Sequence, residues 1–494
     1  MSSIKQAAEE MLLQTIIPFW KGLRDEENGG FYGYMDFDLK LDKKAEKGCI
    51  LNCLILWFFS EAAMLTGRAD LAEDARHAYQ FFLKNCYDEA NGGVYWSCDY
   101  TGKPQDTTKH TYNQGFAIYA LSAYYRLTKD PVALDYAKKI FHLIEQHCTD
   151  SEGYLEAFTI DWKPESNEKL SENGVMAAKT MNTLLHVFEG YAGLYQASRD
   201  PEVEKALRRI LDIYEHKIYS PELHRQLVFF DQHYNSIIDL YSYGHDIESS
   251  WLIDWGCDLL GDAALSKRIH AINSDLAAHI YKEAYIDHSV VNECDRGKVN
   301  TTRVWWVQAE SVLGFVNEYN KSGDAKYRDA AADIYHYICN VMVDKRPGSE
   351  WFWEVDADGK PSSRKPILEP WKCPYHNGRM CMELIRRTHD VTVYTPPRIP
   401  APEGFAGCLP GPQKQKDRFL QRHLRPVGKP GADPRIHPAE LAVRPEPGDE
   451  PPLYGASGRE RRVQLRCHQA ERQVLPCGAH RGQRPQELLR RGRK

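Results

Sequence analysis

The sequence predicts an all-α chain folded as an (α/α)6 barrel: six helical hairpins closed into a ring, with short β-rich connections at one end. Three observations carry this expectation. A Gly-rich aromatic stretch recurs as "NGGFYGYMDFD" at 28, "NGGVYWSCDYTG" at 91 and "EGYLEAFTIDW" at 152, with weaker echoes at 224, 285 and 348. The interval is about 62 residues, and self-similarity at such a period marks repeated supersecondary units. A second marker runs between the copies: "TGRADLAEDA" at 66, "TKDPVALDYA" at 128, "SRDPEVEKAL" at 198, "GDAALSKRI" at 261 and "SGDAKYRDAA" at 322. Each reads as a helix end, a tight turn and a new helix opened by Asp or Pro. Third, apolar residues between markers recur at helical spacing, as Phe116, Ile118, Tyr119, Leu121 and Tyr124 do.

Taken in order, the elements are as follows. Helix 3–23 has apolar residues at helical spacing and charges spread through it, unlike the continuous apolar run of a secretory leader. Helices 47–66 and 70–85 turn about Gly67, and the first holds the most apolar run, "CILNCLILWFF", about half a membrane span. Helices 110–128 and 131–147 turn just before Pro131, and helices 201–218 and 177–199 are separated in the same way before Pro201. Helices 243–260 and 263–282 turn at Gly261, helices 303–322 and 325–344 at Gly323, and helix 376–389 completes six hairpins. The helices that follow each long connection should form the inner wall. Their N-terminal ends then converge on one mouth, which makes the residues opening them the functional candidates.

Composition divides the chain. Its 494 residues carry a formal net charge of −6, yet 16 of the 27 prolines and none of the 11 tryptophans lie from Val391 onward. Residues 1–390 hold 43 Lys and Arg against 59 Asp and Glu, and 391–494 hold 20 against 10. The first part reads as one barrel domain, acidic and without a basic stripe, which argues against nucleic acid as partner. The second reads as a basic Pro/Arg-rich tail, disordered or translated out of frame, because its composition cannot bury a core. Thirteen scattered cysteines with no paired CxxC spacing predict reduced thiols and a cytoplasmic protein with no membrane partner, monomeric or weakly dimeric.

The six openings pool four histidines (His110, His186, His245, His376), three tryptophans (Trp305, Trp306, Trp371) and two carboxylates (Glu248, Glu310). Aromatic rings edged with hydrogen-bonding groups suit a sugar, whose C–H faces stack while its hydroxyls need partners. His245 could equally sit in a helix-capping region with Asp246 and Glu248 on the positive end of the helix dipole. His186 and the Trp pair could be core residues, whereas a carboxylate such as Glu310 in an apolar helix needs a reason to be there. No HExxH, GxGxxG or GxxxxGK occurs, so neither metal nor phosphate chemistry has a spacing signal. Glu248 and Glu310 could serve a glycoside hydrolase, and that reading stays open on the residues alone.

From Ile16 to Arg386 the chain resembles the N-acylglucosamine 2-epimerase family, and within it the cellobiose 2-epimerases. The matching motifs are "ENGGFYGY", "LDKKAEKG", "GGVYW", "KHTYN", "LSENG", "KTMN", "SYGHDIE", "RVWWVQAE" and "WKCPYHNGRMCME". The resemblance implies an (α/α)6 barrel that inverts C2 of the reducing-end glucose of β-1,4-linked disaccharides, with no metal or redox cofactor. It implies His245 and His376 as the proton-transfer pair, with His376 also assisting ring opening, and Glu248 orienting His245 or holding a hydroxyl. Tyr112, Asn182, His186 and Glu310 would bind the sugar or its enediolate, and Trp306 and Trp371 would stack on its rings. One departure stands out. Where the family pattern has His-Ser-Arg-Ile-Leu-Trp, this chain reads Asn52, Cys53, Leu54, Ile55, Leu56, Trp57. The arginine that contacts the reacting sugar is thus a leucine, so impaired activity, or an inactive sugar-binding protein, is a further expectation.

Overall fold

Burial separates the helices into two kinds, and the separation defines the barrel. The computed structural model describes residues 2–388 and 392–393; the rest of the tail expected at 391–494 lies outside the described residues. In chain order the helices begin with α1, which is Ile4–Met11 continued through a π-helical turn, Leu12–Ile16, into Ile17–Lys21. Then come α2 (Cys49–Thr66), α3 (Ala69–Phe81), α4 (Thr111–Thr128), α5 (Pro131–His147) and α6 (Met181–Ser198). The remainder are α7 (Pro201–Ile213), α8 (Tyr243–Leu260), α9 (Ala263–Glu283), α10 (Trp305–Ser322), α11 (Ala325–Tyr337) and α12 (Tyr375–Arg387).

In α2 every residue from Cys49 to Ala63 is buried, and in α4 every residue from Thr111 to Tyr124. A helix buried all round has neighbours on every side, so these belong to an inner wall. In α7 only Val203, Ala206, Leu207, Ile210, Leu211 and Ile213 are buried, the one-sided stripe of an outer helix. The inner helices pack in the ring α2–α4–α6–α8–α10–α12, and α12 returns to α2. Each of the other helices packs on its inner partner, with α1 backing α12. The architecture is therefore an (α/α)6 barrel. α2 is long and apolar enough to cross a membrane, but 83% of its apolar window is buried, as an inner-wall helix requires. The ten cysteines among the described residues are free thiols.

The hairpin turns follow the chemistry of the second marker. Gly67, Gly261 and Gly323 end their inner helices with left-handed φ angles of 68°, 68° and 71°. Lys129 and Arg199 do the same at 61° and 54° without the freedom of glycine. Asp130, Asp200, Asp262 and Asp324 then cap the outer helices by accepting backbone N–H bonds.

At the other end, a two- or three-residue strand leads into each of α2, α4, α6, α8 and α10. This explains why α6 starts at Met181 rather than 177: Lys179–Thr180 pairs with Phe229–Phe230 first. The Gly-rich loops are tied to these strands by a repeated ion pair whose lysine is buried each time. Lys47 Nζ lies 2.6 Å from Asp25, Lys109 Nζ 2.7 Å from Asp88, and Lys179 Nζ 2.8 Å from Asp150. Each aspartate also accepts two backbone N–H groups from its own turn, so none is left uncompensated. Burial alone would raise the Asp88 carboxyl; Lys109 and Asn91 bring it down to about 2. Asn52, Gln114 and Gln308 sit one turn into their helices and hold the backbones of Phe31, Val94 and Val290. These polar openings, candidates on sequence grounds, are clasps for the loops.

Candidate active site

Two layers of side chains meet at the mouth. The outer layer is half-buried and consists of Asn182, His245, Trp306, Trp371 and His376, with Tyr112 almost covered beside them. Each comes from the first turn of an inner helix or the residues just before it, as the convergence of helix N-termini requires. The Trp306 ring contacts both histidines, 4.8 Å from the centroid of His245 and 5.4 Å from that of His376. Trp371 stands 6.0 Å from Tyr112, and Tyr112 is edge-on to His186 at 5.2 Å.

Beneath lies a fully buried polar layer centred on Arg379, one turn after His376 on α12. Its Nη1 donates to Glu189 at 2.6 Å, and its Nη2 donates to Glu248 at 2.5 Å and to Glu310 at 2.8 Å. Tyr375 donates to Glu189 at 2.5 Å, His186 Nδ1 lies 2.9 Å from the same carboxylate, and Trp251 donates to Glu310 at 2.9 Å. His376 Nδ1 lies 2.7 Å from Glu310.

Three expectations are corrected by this layer. Glu310 is fully buried with both oxygens engaged, so it holds His376 and is closed to a sugar. Glu248 does not orient His245, because its engaged oxygen faces Arg379 and its other oxygen has no partner. Ser242 takes that place, with its Oγ 2.7 Å from His245 Nδ1. That serine occupies the position before α8 where a hydroxyl ordinarily caps a backbone N–H, and it makes no such cap here. His186 is covered beneath Tyr112 and bonded to Glu189, so it supports the site from below. Asp246 is turned away onto Gln226, its carboxyl raised by burial to about 8.

The electrostatics follow from burial and from the single guanidinium. Burial lowers His245 to about 3, with His186 and His376 adding repulsion. Burial also lowers His376, to about 4, against the pull of Glu310. Both rings are therefore neutral at neutral pH, and each has its Nδ1 tied back, which leaves Nε2 to exchange protons. Burial would raise Glu310, but Arg379 and His376 hold it at about 2. Glu189 is likewise lowered by Arg379 and His186 against the effect of burial. Glu248 is raised well above the usual carboxylate range by burial and by Glu310, against the pull of Arg379.

Glu248, Glu310 and His376 could offer ligand atoms to a metal, within 4.8 Å of one another. Arg379 already supplies a cation to both carboxylates. The same closeness disfavours an inverting hydrolase, whose carboxyls stand about 6.5–9.5 Å apart.

Residues 30–377 match the model of the N-acylglucosamine 2-epimerase (GlcNAc 2-epimerase) family. The chain belongs to this family. Its members act on carbohydrates, and the chain is, with them, a carbohydrate epimerase. It is 51% identical over 393 residues to a cellobiose 2-epimerase of Eubacterium cellulosolvens, covering 76% of this chain and 97% of that protein. A crystal structure of a sugar epimerase from a ruminal bacterium superposes with a TM-score of 0.78 at 47% identity, covering 78% of this chain and all of that one. Cellobiose 2-epimerase from Bacillus thermoamylovorans gives 0.75 at 43%, covering 78% and 99%.

The sequence named both histidines and both tryptophans of the outer layer. It missed Ser242, Glu189, Tyr375, Arg379 and Trp251. A signal for one existed: Glu189 is a charged residue in an apolar inner helix, the same argument that singled out Glu310.

Proposed function

We propose that the chain inverts C2 of the reducing-end glucose of β-1,4-linked disaccharides, turning cellobiose into glucosyl-mannose and lactose into epilactose. The observation that carries this is the pair of histidines that both contact Trp306, each with one nitrogen anchored and one available. After the hemiacetal opens, C2–H lies next to a carbonyl and becomes acidic. One imidazole removes that proton and becomes imidazolium, and the other, carrying a proton on its Nε2, delivers it to the opposite face of the enediolate; exchange with solvent then resets both rings. Trp306 and Trp371 would hold the sugar rings, and Tyr112 and Asn182 the open chain. Proton transfer alone interconverts the epimers, so the step is redox-neutral.

The test is cellobiose in D2O, read by NMR. Deuterium at C2 together with glucosyl-mannose supports the reading, and His245→Asn or His376→Asn should abolish both. Released glucose would mark a hydrolase, and saturable sugar binding without exchange a binding protein; either result overturns the proposal.

Ser242 offers a finer test. Losing one hydrogen bond of about 1 kcal/mol to His245 should lower kcat for exchange about fivefold in Ser242→Ala. KM should hardly move, and Ser242→Thr should restore most of the rate. An unchanged kcat in Ser242→Ala would show that the serine has no part in placing the ring.

A further inference from the structure

Away from the mouth, the turn between the strands Tyr219–Ser220 and Arg225–Gln226 lies against α9. His224 sits in that turn with a left-handed φ of 53°. Asp275 and His279 are four residues apart on α9, so they share a face. The imidazole rings of His224 and His279 stack with centroids 4.4 Å apart and planes within 9°. His224 Nδ1 lies 3.0 and 3.2 Å from the two Asp275 oxygens, and His279 Nδ1 lies 3.6 Å from one of them. One ligand atom from each of the three residues falls within 4.8 Å of the others.

The atom spacings are close to those of a metal site; binding would turn the two rings out of their parallel stack, so that both nitrogens converge on the ion and His279 Nδ1 leaves the Asp275 carbonyl 3.3 Å away. Metal–nitrogen and metal–oxygen bonds of about 2.0–2.2 Å in a tetrahedron put neighbouring ligand atoms about 3.3–3.6 Å apart. The carboxylate is also held from outside: the Tyr219 hydroxyl donates to it at 2.6 Å, the kind of supporting bond that fixes a ligand's orientation. The side chains of His224, Asp275 and His279 are 49%, 27% and 21% exposed, which leaves an open side for water as a fourth ligand.

We propose that His224, Asp275 and His279 form a site for a first-row divalent cation of the zinc, cobalt or nickel class, for which an imidazole-rich, carboxylate-completed set is suited. The bound ion staples the turn to α9. Gln226, two residues beyond His224, lies 3.3 Å from the backbone carbonyl of His245 and donates to Asp246 at 2.9 Å. The staple thus anchors the strand that supports one of the mouth histidines. It is independent of the reaction proposed above.

The full chain, stripped with chelator, should gain about 3 °C in Tm at a Zn2+ concentration 100 times its Kd. Co2+ should give the visible bands of a four-coordinate ion. In His224→Ala and in His279→Ala, each compared with its own metal-free Tm, affinity should fall at least tenfold, so the gain at the same Zn2+ concentration should drop by half or more. Cys98→Ser, which breaks the buried Cys49, Cys86 and Cys98 group, and His376→Asn, which breaks the group at the mouth, should keep the gain. No shift in the unaltered chain, or an equal shift in both histidine variants, overturns the site by showing that metal binds elsewhere or not at all.

Discussion

Leu54→Arg is expected to raise the rate of C2 deuterium exchange by about 10²–10³, the usual value of one well-placed donor to a developing oxyanion. Leu54 is 4% exposed on α2. It shares a helix face with Trp57 and Phe58, whose rings pack against Tyr375 and Gly378 of α12, and it lies one turn nearer the mouth. The charge balance below the mouth explains why a cation matters there. Three buried carboxyl groups, Glu189, Glu248 and Glu310, surround the single guanidinium of Arg379, so the layer holds more acid than base. A reaction that creates an enediolate above it must work against that field. An arginine at 54, where the resemblance places one, would both cancel the charge and donate to the new oxyanion. Leu54→Met, with similar shape and no charge, should gain nothing. Fast exchange in the unaltered chain, or equal rates in the Arg and Met variants, would rule this account out.

Arg379→Met is expected to cost about 3–5 kcal/mol of stability at pH 7, because it leaves two ionised carboxylates buried without their counter-charge. The pH dependence gives the sign. In the unaltered chain Glu310 is held at about 2, below its unfolded value, so its contribution is present above about pH 4.5 and is lost as pH falls toward 2. Without Arg379 the buried carboxyls rise above their unfolded values. They then destabilise most at neutral pH and recover as they take up protons in acid. Denaturant unfolding at pH 7 and at pH 4.5 checks this: the penalty should shrink markedly at the lower pH. An equal loss at both would mean that the guanidinium acts by packing alone.

The ring and the outer layer of the site were legible because they rest on local signals. A period repeats, turns carry Gly, Asp or Pro, and the residues opening inner helices converge by geometry. The buried layer was not, because its members meet only in three dimensions. Arg379 draws Glu189, Glu248 and Glu310 from three other helices, and no spacing along the chain encodes that meeting. Ser242 was masked by its position, since a serine before a helix is read as a cap. The Lys–Asp clasps lay between the two: Lys47, Lys109 and Lys179 recur with the repeat, but their partners lie some 20–30 residues upstream, in loops.

Closure of the ring also sets an order of events. α12 is the last inner helix to leave the ribosome, and it must find α2, made more than 300 residues earlier, while its outer partner is α1. That helix brings His376, Tyr375 and Arg379 with it. Until it docks, Glu189 and Glu310 face a gap in the wall, hydrated and without their cation. The nascent chain therefore lacks one of the two proposed proton-transfer histidines and the buried cation until its last inner helix is made, and that helix supplies the closing wall and both groups together.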